Sequence, residues 1–214
     1  MTTILLSEPL KVQSRLQELG LTEEILREAV EAGERVRRTF TANHPLVVPG
    51  LMRWAETIKV IRDRLMASGW TKSDIGGVPL IIHPKGLIAL TVMTGNEGTG
   101  NDSAELRSKN PRGSTTIAFI KQNAEQLEFD RTVLKIKAAE TKQDNPMMWY
   151  LAVNCVGNEV RFELSLPLGM NNGHIEDWQE RIMFTPIDFD PSSGPIENPF
   201  EKSEDIVVEV SPKF

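Results

Sequence analysis

Met148-Trp-Tyr-Leu-Ala-Val-Asn-Cys-Val156, Gly157-Asn158 and Glu159-Val-Arg-Phe-Glu-Leu-Ser-Leu166 form the stretch that decides the fold. Two runs rich in β-branched and aromatic residues flank a two-residue loop with glycine first, which suits a type II′ turn. So short a loop fixes register. It sets Cys155 opposite Val160, Val153 opposite Phe162, Leu151 opposite Leu164 and Trp149 opposite Leu166. All eight are apolar and leave the hairpin on one face. The other face sets Asn154 against Arg161 and Ala152 against Glu163. An antiparallel sheet with one strongly apolar face follows, and something must cover that face.

The cover is expected from the amino-terminal third. Leu10, Val12, Leu16 and Leu19 predict a short helix ended by Gly20. Thr22 caps a second helix, with Glu23 and Glu24 in its first turn and Leu21 and Leu26 at the positions of a hydrophobic staple. Its expected stripe is Ile25, Ala29, Ala32, Val36 and Phe40. Pro49-Gly50 opens a third helix with the stripe Leu51, Trp54, Ala55, Ile58, Ile61 and Leu65, stopped by Gly69. Beyond residue 70 the period becomes two. Val78–His83 and Leu87–Met93 read as strands joined by Pro84-Lys85-Gly86, where Gly86 takes positive φ. Ser114–Ile120 and Thr132–Ala138 read as further strands, Ile175–Phe184 as a helix burying Ile175, Trp178 and Ile182, and Ile206–Val210 as a last edge strand. Trp54 and Trp149 fall on core faces, whereas Trp70, and Trp178 if its segment turns outward, are candidates for exposed anchors. The expected architecture is a single α+β domain over residues 1–214. Its helical part, 1–70, packs on an antiparallel or mixed sheet of about five to six strands. Part 71–214 is strand-rich and ends in an irregular acidic wrap.

Composition narrows function by exclusion. Hydrophobic residues make up 40% and charged residues 25%, which is ordinary globular usage. The amino terminus lacks the basic start and long apolar core of a secretory signal, and no run reaches membrane-spanning length, so a cytosolic location is expected. The single cysteine, Cys155, sits in an apolar run and reads as a buried thiol. Residues 151–214 carry four basic and twelve acidic side chains. That balance repels phosphate backbones and argues against a nucleic-acid partner. It fits a solvated acidic surface.

Two constellations carry candidate chemistry. The segment Gly95–Gly113 follows a strand and holds Gly95, Asn96, Gly98, Thr99 and Gly100, with Lys109 and Arg112 near its end. Long loops inside domains are usually functional or disordered. Few apolar residues predict that this is the least ordered internal segment, serving as a lid or protein-contact loop. Alternatively, its glycine N–H groups cradle a nucleotide phosphate that Lys109 and Arg112 neutralise. Asp130, Glu140 and Lys142 form Asp-x9-Glu-x-Lys, similar to the set in metal-dependent nucleases of the restriction-endonuclease type. That resemblance implies Mg²⁺ held by the two carboxylates and a lysine that positions water. It spans about thirteen residues, which a solvated Lys/Glu-rich element also explains. The histidines, His44, His83 and His174, lack zinc-site spacing. Arg35, Arg37 and Arg38 suit the carbonyl end of the second helix. The expectation is a non-enzymatic binding or accessory protein of a bacterial-type cytosol, without cofactor, meeting a protein partner through loop 95–113.

The hairpin yields a direct test. Phe162→Ala should lower stability by ~3–5 kcal/mol, because it removes a buried ring. Arg161→Ala, one residue along on the other face, should cost about 0.5 kcal/mol or less. Chemical denaturation of the two variants separates them; equal losses would mean that the sheet is covered on both sides, and a large loss for Arg161→Ala alone that the register is misread.

Overall fold

The computed structural model describes residues 3–133 and 145–189, which form four helices and one eight-stranded sheet. In chain order these are β1 (Ile4–Leu6), α1 (Pro9–Glu18), α2 (Glu23–Arg37), α3 (Val47–Met66), β2 (Thr71–Ile75), β3 (Val78–Ile82) and β4 (Ile88–Thr94). Then come α4 (Ser114–Val133), β5 (Met147–Val156), β6 (Glu159–Asn171), β7 (His174–Met183) and β8 (Ile187–Asp188). The sheet order is β1-β7-β6-β5-β4-β3-β2, with β8 paired to β6. β4 runs parallel to β5 through the α4 crossover, β1 runs parallel to β7, and the remaining pairs are antiparallel. The sheet is therefore mixed, with helices packed on it as expected. It is wider than five to six strands because two short segments, β1 and β2, add edges that carry little alternation of their own.

The hairpin adopts the expected register, with Cys155 on Val160, Val153 on Phe162 and Leu151 on Leu164. Gly157 takes φ +60°, as the first central position of a type II′ turn requires. The odd-numbered residues of β5 meet α1, α2 and α3 in one core containing Leu16, Leu26, Ile61, Trp149, Leu151 and Phe162. Even-numbered residues face the other way and form a second core with α4, in which Met148, Tyr150, Ala152, Ile120 and Leu106 pack together. The sheet is thus covered on both sides.

That second cover overturns one strand expectation. Ser114–Ile120 is the start of α4, not a strand. The β-branched run Thr115-Thr116-Ile117 favours extension locally, but Thr116, Ile120 and Asn123 are buried at helical spacing and tertiary packing wins. The buried Asn123 amide completes the docking. Its Nδ2 donates to the Met148 carbonyl at 2.9 Å and its Oδ1 accepts the Met148 N–H at 2.8 Å. Thr132 and Val133 end the helix, while 134–138 and the expected strand 206–210 lie outside the described residues, as does most of the expected wrap from 185.

The segment 175–184 is likewise β7 and not a helix. Asn172 (φ +49°) and Gly173 (φ +80°) make a tight turn that returns the chain beside β6. The three-residue spacing of Ile175 and Trp178, which mimics a helix, arises from register shifts. Ile175 pairs with Met170 and Trp178 with Pro167, so extra residues bulge between them. Both Trp178 and Trp70 are buried, and neither is an exposed anchor.

The helices follow their signals with one rotation. Thr22 accepts the Ile25 N–H at 3.4 Å, and Leu21 and Leu26 are both buried. However, α2 buries Leu26, Ala29, Val30, Gly33 and Glu34, a face turned from the expected Ile25, Ala29, Ala32, Val36 and Phe40. The cause is α3. A Cβ at Gly33 would lie 2.2 Å from Thr57 Oγ1 and 2.6 Å from the Arg53 carbonyl oxygen, so the two helices meet at the glycine. α3 begins at Val47, ahead of Pro49-Gly50, and its Leu51 is exposed.

Two helical glycines should therefore respond oppositely to alanine. Gly50 has open space around it, so Gly50→Ala should stabilise by up to ~1 kcal/mol through helix propensity. Gly33→Ala should lose ~1–3 kcal/mol despite the same propensity gain, because the methyl meets backbone. Urea denaturation reads both, and a stabilised Gly33→Ala would mean that the α2–α3 crossing is loose.

Candidate functional site

Loop 95–113 leaves β4 and lies over the sheet face that α4 shares. The Gly95 N–H donates to the Val153 carbonyl (3.1 Å), Ser108 N–H to Ile175 (3.0 Å), Lys109 N–H to Thr94 (3.0 Å) and Arg112 N–H to Gly173 (2.7 Å). Asn96 staples the loop across itself, accepting the Arg107 N–H at 2.8 Å and donating to the Glu105 carbonyl at 3.0 Å. Leu106, Thr99 and Ser108 are buried. Poor in apolar residues, loop 95–113 is anchored instead by its polar groups.

The anchor is a charge pair beneath it. Arg181 on β7 forks onto Glu163 of β6, with Nε 2.8 Å from Oε1 and Nη2 2.7 Å from Oε2. Its remaining N–H groups donate to loop carbonyls at Gly98 (2.8 Å), Ala104 (3.1 Å) and Asn101 (3.2 Å). Glu163 in turn accepts the Gly100 N–H at 2.7 Å and the Ser165 hydroxyl at 2.5 Å. Glu163 is 0% exposed and Arg181 5%. A planar guanidinium suits this role because its donors are spread in a rigid fork. Neither residue stands out in the sequence. The one available signal was Glu163 opposite Ala152, a charge facing an apolar partner.

Above the anchor the loop opens a groove of about 440 Å³ lined by Asn96, Glu97, Gly98, Asn101, Ala104, Glu105, Val156 and Arg161. Glu97 and Glu105 are exposed there, and Arg161 pairs with Glu159. The same end of the molecule carries apolar surface. Val156 is 45% exposed, and Val47 and Leu51 of α3 are 54% and 49% exposed. The contact of Arg53 with Cys155 at 2.7 Å brings the start of α3 to this end of β5.

The residues singled out in the sequence divide clearly. Gly95, Asn96, Gly98, Thr99 and Gly100 belong to the loop's internal bonding, since Thr99 Oγ1 donates to the Asn96 carbonyl and Gly100 N–H is taken by Glu163. A phosphate approaching Gly95–Gly100 would meet the Gly95, Asn96, Thr99 and Gly100 N–H groups already engaged and the buried Glu163 carboxylate behind them. Lys109 is exposed on the far limb of the loop, and Arg112 turns inward toward Tyr150. Asp130 is on α4, whereas Glu140 and Lys142 lie outside the described residues. Among the described residues, no group of three or more His, Cys, Asp or Glu side chains could hold a metal ion. No helix among them is long and apolar enough to cross a membrane.

A second charged cluster holds the α2–α3 end. Arg37 and Arg38 clamp the fully buried Glu34, so they serve more than the helix end. Arg35 pairs with Glu31 at 2.8 Å. Burial is the largest single influence on Glu34 and opposes its ionisation, but hydrogen bonds and charge from Arg37, with the Cys155 hydrogen bond and the Arg53 charge, together hold the carboxyl below its usual range. Cys155 donates to Glu34 at 3.2 Å, and burial pushes its thiol up to about 11. A neutral, half-buried thiol of this kind is a poor nucleophile. The histidines are structural. His44 Nδ1 lies 3.2 Å from Thr41 Oγ1, His83 Nδ1 accepts the Lys85 N–H at 3.1 Å, and His174 Nδ1 lies 2.8 Å from the Ser108 carbonyl. Comparison of the chain with protein-family models, with curated proteins and with solved structures gives no match.

The anchor predicts how the loop fails. Arg181→Ala leaves Glu163 buried beside empty loop carbonyls and should cost ~3–5 kcal/mol. Under native conditions a protease should then cut first between Gly95 and Gly113, where the wild type resists. Resistance of the variant loop would show that Asn96 and Leu106 hold it without Arg181.

Proposed function

We propose that this is a non-enzymatic binding or accessory protein of the cytosol, engaging a protein partner at the sheet end occupied by loop 95–113. The observation that carries the reading is the loop's construction. A buried ion pair and three carbonyl contacts hold in one shape a loop whose outer side is an open polar groove. Preorganisation of this kind lowers the ordering penalty on association. The catalytic alternative finds no comparable support. The described carboxylates near the loop are either paired, as Glu163 is with Arg181, or exposed, as Glu97 and Glu105 are.

Groove chemistry defines the partner's class. Glu97 and Glu105 offer carboxylates, and Val156, Val47 and Leu51 offer apolar contact at the same end. A segment with basic and apolar side chains complements this surface, the charges setting encounter rate and the apolar groups supplying burial.

A photo-crosslinking residue placed at Glu97, Glu105 or Val156 should capture one common protein in cells. Placed at Lys85, in the turn at the opposite end of β4, it should not. Glu97→Lys combined with Glu105→Lys should weaken the captured interaction by roughly tenfold or more while the melting temperature holds. Capture from Lys85 equal to that from the groove, or none from any groove position, would remove the proposal.

A further inference from the structure

On the sheet face beneath α4, pairing lines up Thr91 of β4, Tyr150 of β5, Ser165 of β6 and Arg181 of β7 in one row. At one end of that row Arg181 is fully engaged. At the middle the bonding is incomplete. Tyr150 is 2% exposed, and its hydroxyl makes no well-directed hydrogen bond to the Thr116 hydroxyl or the Arg112 guanidinium that lie close by. The Arg112 Nε is also buried without a partner, and the guanidinium makes no ion pair with a carboxylate among the described residues. A buried phenol and a buried cation left open together are costly, since each forgoes the bonds it makes in water.

Both groups converge on the start of a long helix. α4 runs for 20 residues from Ser114, and its first turn contains no acidic side chain. The first internal bond at this end is from Ile117 N–H to the Gly113 carbonyl at 3.2 Å, so the three preceding amides point out of the helix. Gly113 and Ser114 are exposed, and a Cβ on Gly113 would meet nothing within 4 Å, which leaves an approach from solvent. Helix N-termini attract anions through those amides and the helix dipole.

We propose that the α4 N-terminus, Arg112, Thr116 and the Tyr150 hydroxyl form a binding site for a phosphoryl group. The donor count selects among anions. Outward amides, a guanidinium, a phenol and a threonine hydroxyl exceed what the two oxygens of a carboxylate accept, and match the three terminal oxygens of a phosphate. This site is separate from the glycine limb of the loop, where the Gly95 and Gly100 N–H groups donate to the Val153 carbonyl and to Glu163. It also stands independently of the protein-contact groove, which lies above Glu163 and Arg181.

Burial pushes the Tyr150 hydroxyl up to about 12, so it stays a donor at any physiological pH. Burial likewise moves Arg112 below its ordinary value, a desolvation that a bound dianion would offset.

The test is titration of the full chain with inorganic phosphate and, in a second arm, with a nucleoside 5′-monophosphate. Calorimetry and thermal shift are read at ionic strength matched with chloride. The wild type should bind phosphate with a saturable rise in melting temperature. Tyr150→Phe, which removes only an unpartnered hydroxyl, should fold at least as well as the wild type and bind roughly tenfold more weakly. Arg112→Gln should lose tenfold or more. Tighter binding of the monophosphate would identify the ligand as a phosphate ester, and equal or weaker binding as free phosphate. No saturable binding in either arm, or affinity unchanged in both variants, would overturn the proposal.

Discussion

The pair between Arg181 and Glu163 is the constraint on which the loop-bearing side of the molecule depends. Both charges are out of water, so neither tolerates loss of the other. Arg181 has more donors than one carboxylate can accept, and the surplus must find acceptors. The carbonyls of Gly98, Asn101 and Ala104 supply them. The loop is thus drawn onto the sheet by the arginine's unsatisfied valence, and Gly100 closes the circuit by donating back to Glu163. Glycine at position 100 permits this, because φ there is +64° and the chain passes close over β6.

A sheet covered on both faces follows from the same logic applied to apolar groups. Phe162, Leu164 and Trp149 need α1–α3, while Met148, Ala152 and Ile175 need α4 and Leu106. The two layers differ in how they are fixed. Leu, Ile and Val interdigitate on the first face, and polar contacts at its margins, such as Trp54 Nε1 to the Val92 carbonyl at 3.1 Å and Arg15 to Glu180 at 2.7 Å, add to that packing. On the second face α4 is held by Asn123, whose amide copies a strand's donor and acceptor, and the loop by Arg181. One side is dominated by a packed apolar core, and the other leans more on directed polar bonds.

The polar row across β4–β7 links the two proposals physically. Arg181 is saturated and structural, whereas Tyr150 and Arg112 are not. Buried polar groups of one sheet face thus divide into those that hold the loop and those whose bonding the fold leaves incomplete. The groove lies over the first and the α4 N-terminus over the second, so the protein partner and the anion would meet different limbs of the same loop.

The sequence by itself determined the elements whose information is local. The β5–β6 hairpin was legible because a two-residue turn and alternation both specify one register, and Thr22, Leu21 and Leu26 mark α2 within a single turn. Segments whose conformation answers to distant partners were not legible. The start of α4 has strand-like residues and becomes a helix because Asn123 and Ile120 meet β5. β7 shows helical spacing only because bulges against Pro167 and Gly169 displace Ile175 from Trp178. The candidate site divides in the same way. Gly95–Gly113 could be named as a loop of interest from its composition, and Arg112 as its cation. Glu163, Arg181 and Tyr150 could not be joined to it, because they come from other strands, and an arginine's or a tyrosine's role depends on which acceptors the fold brings within about 3 Å of it.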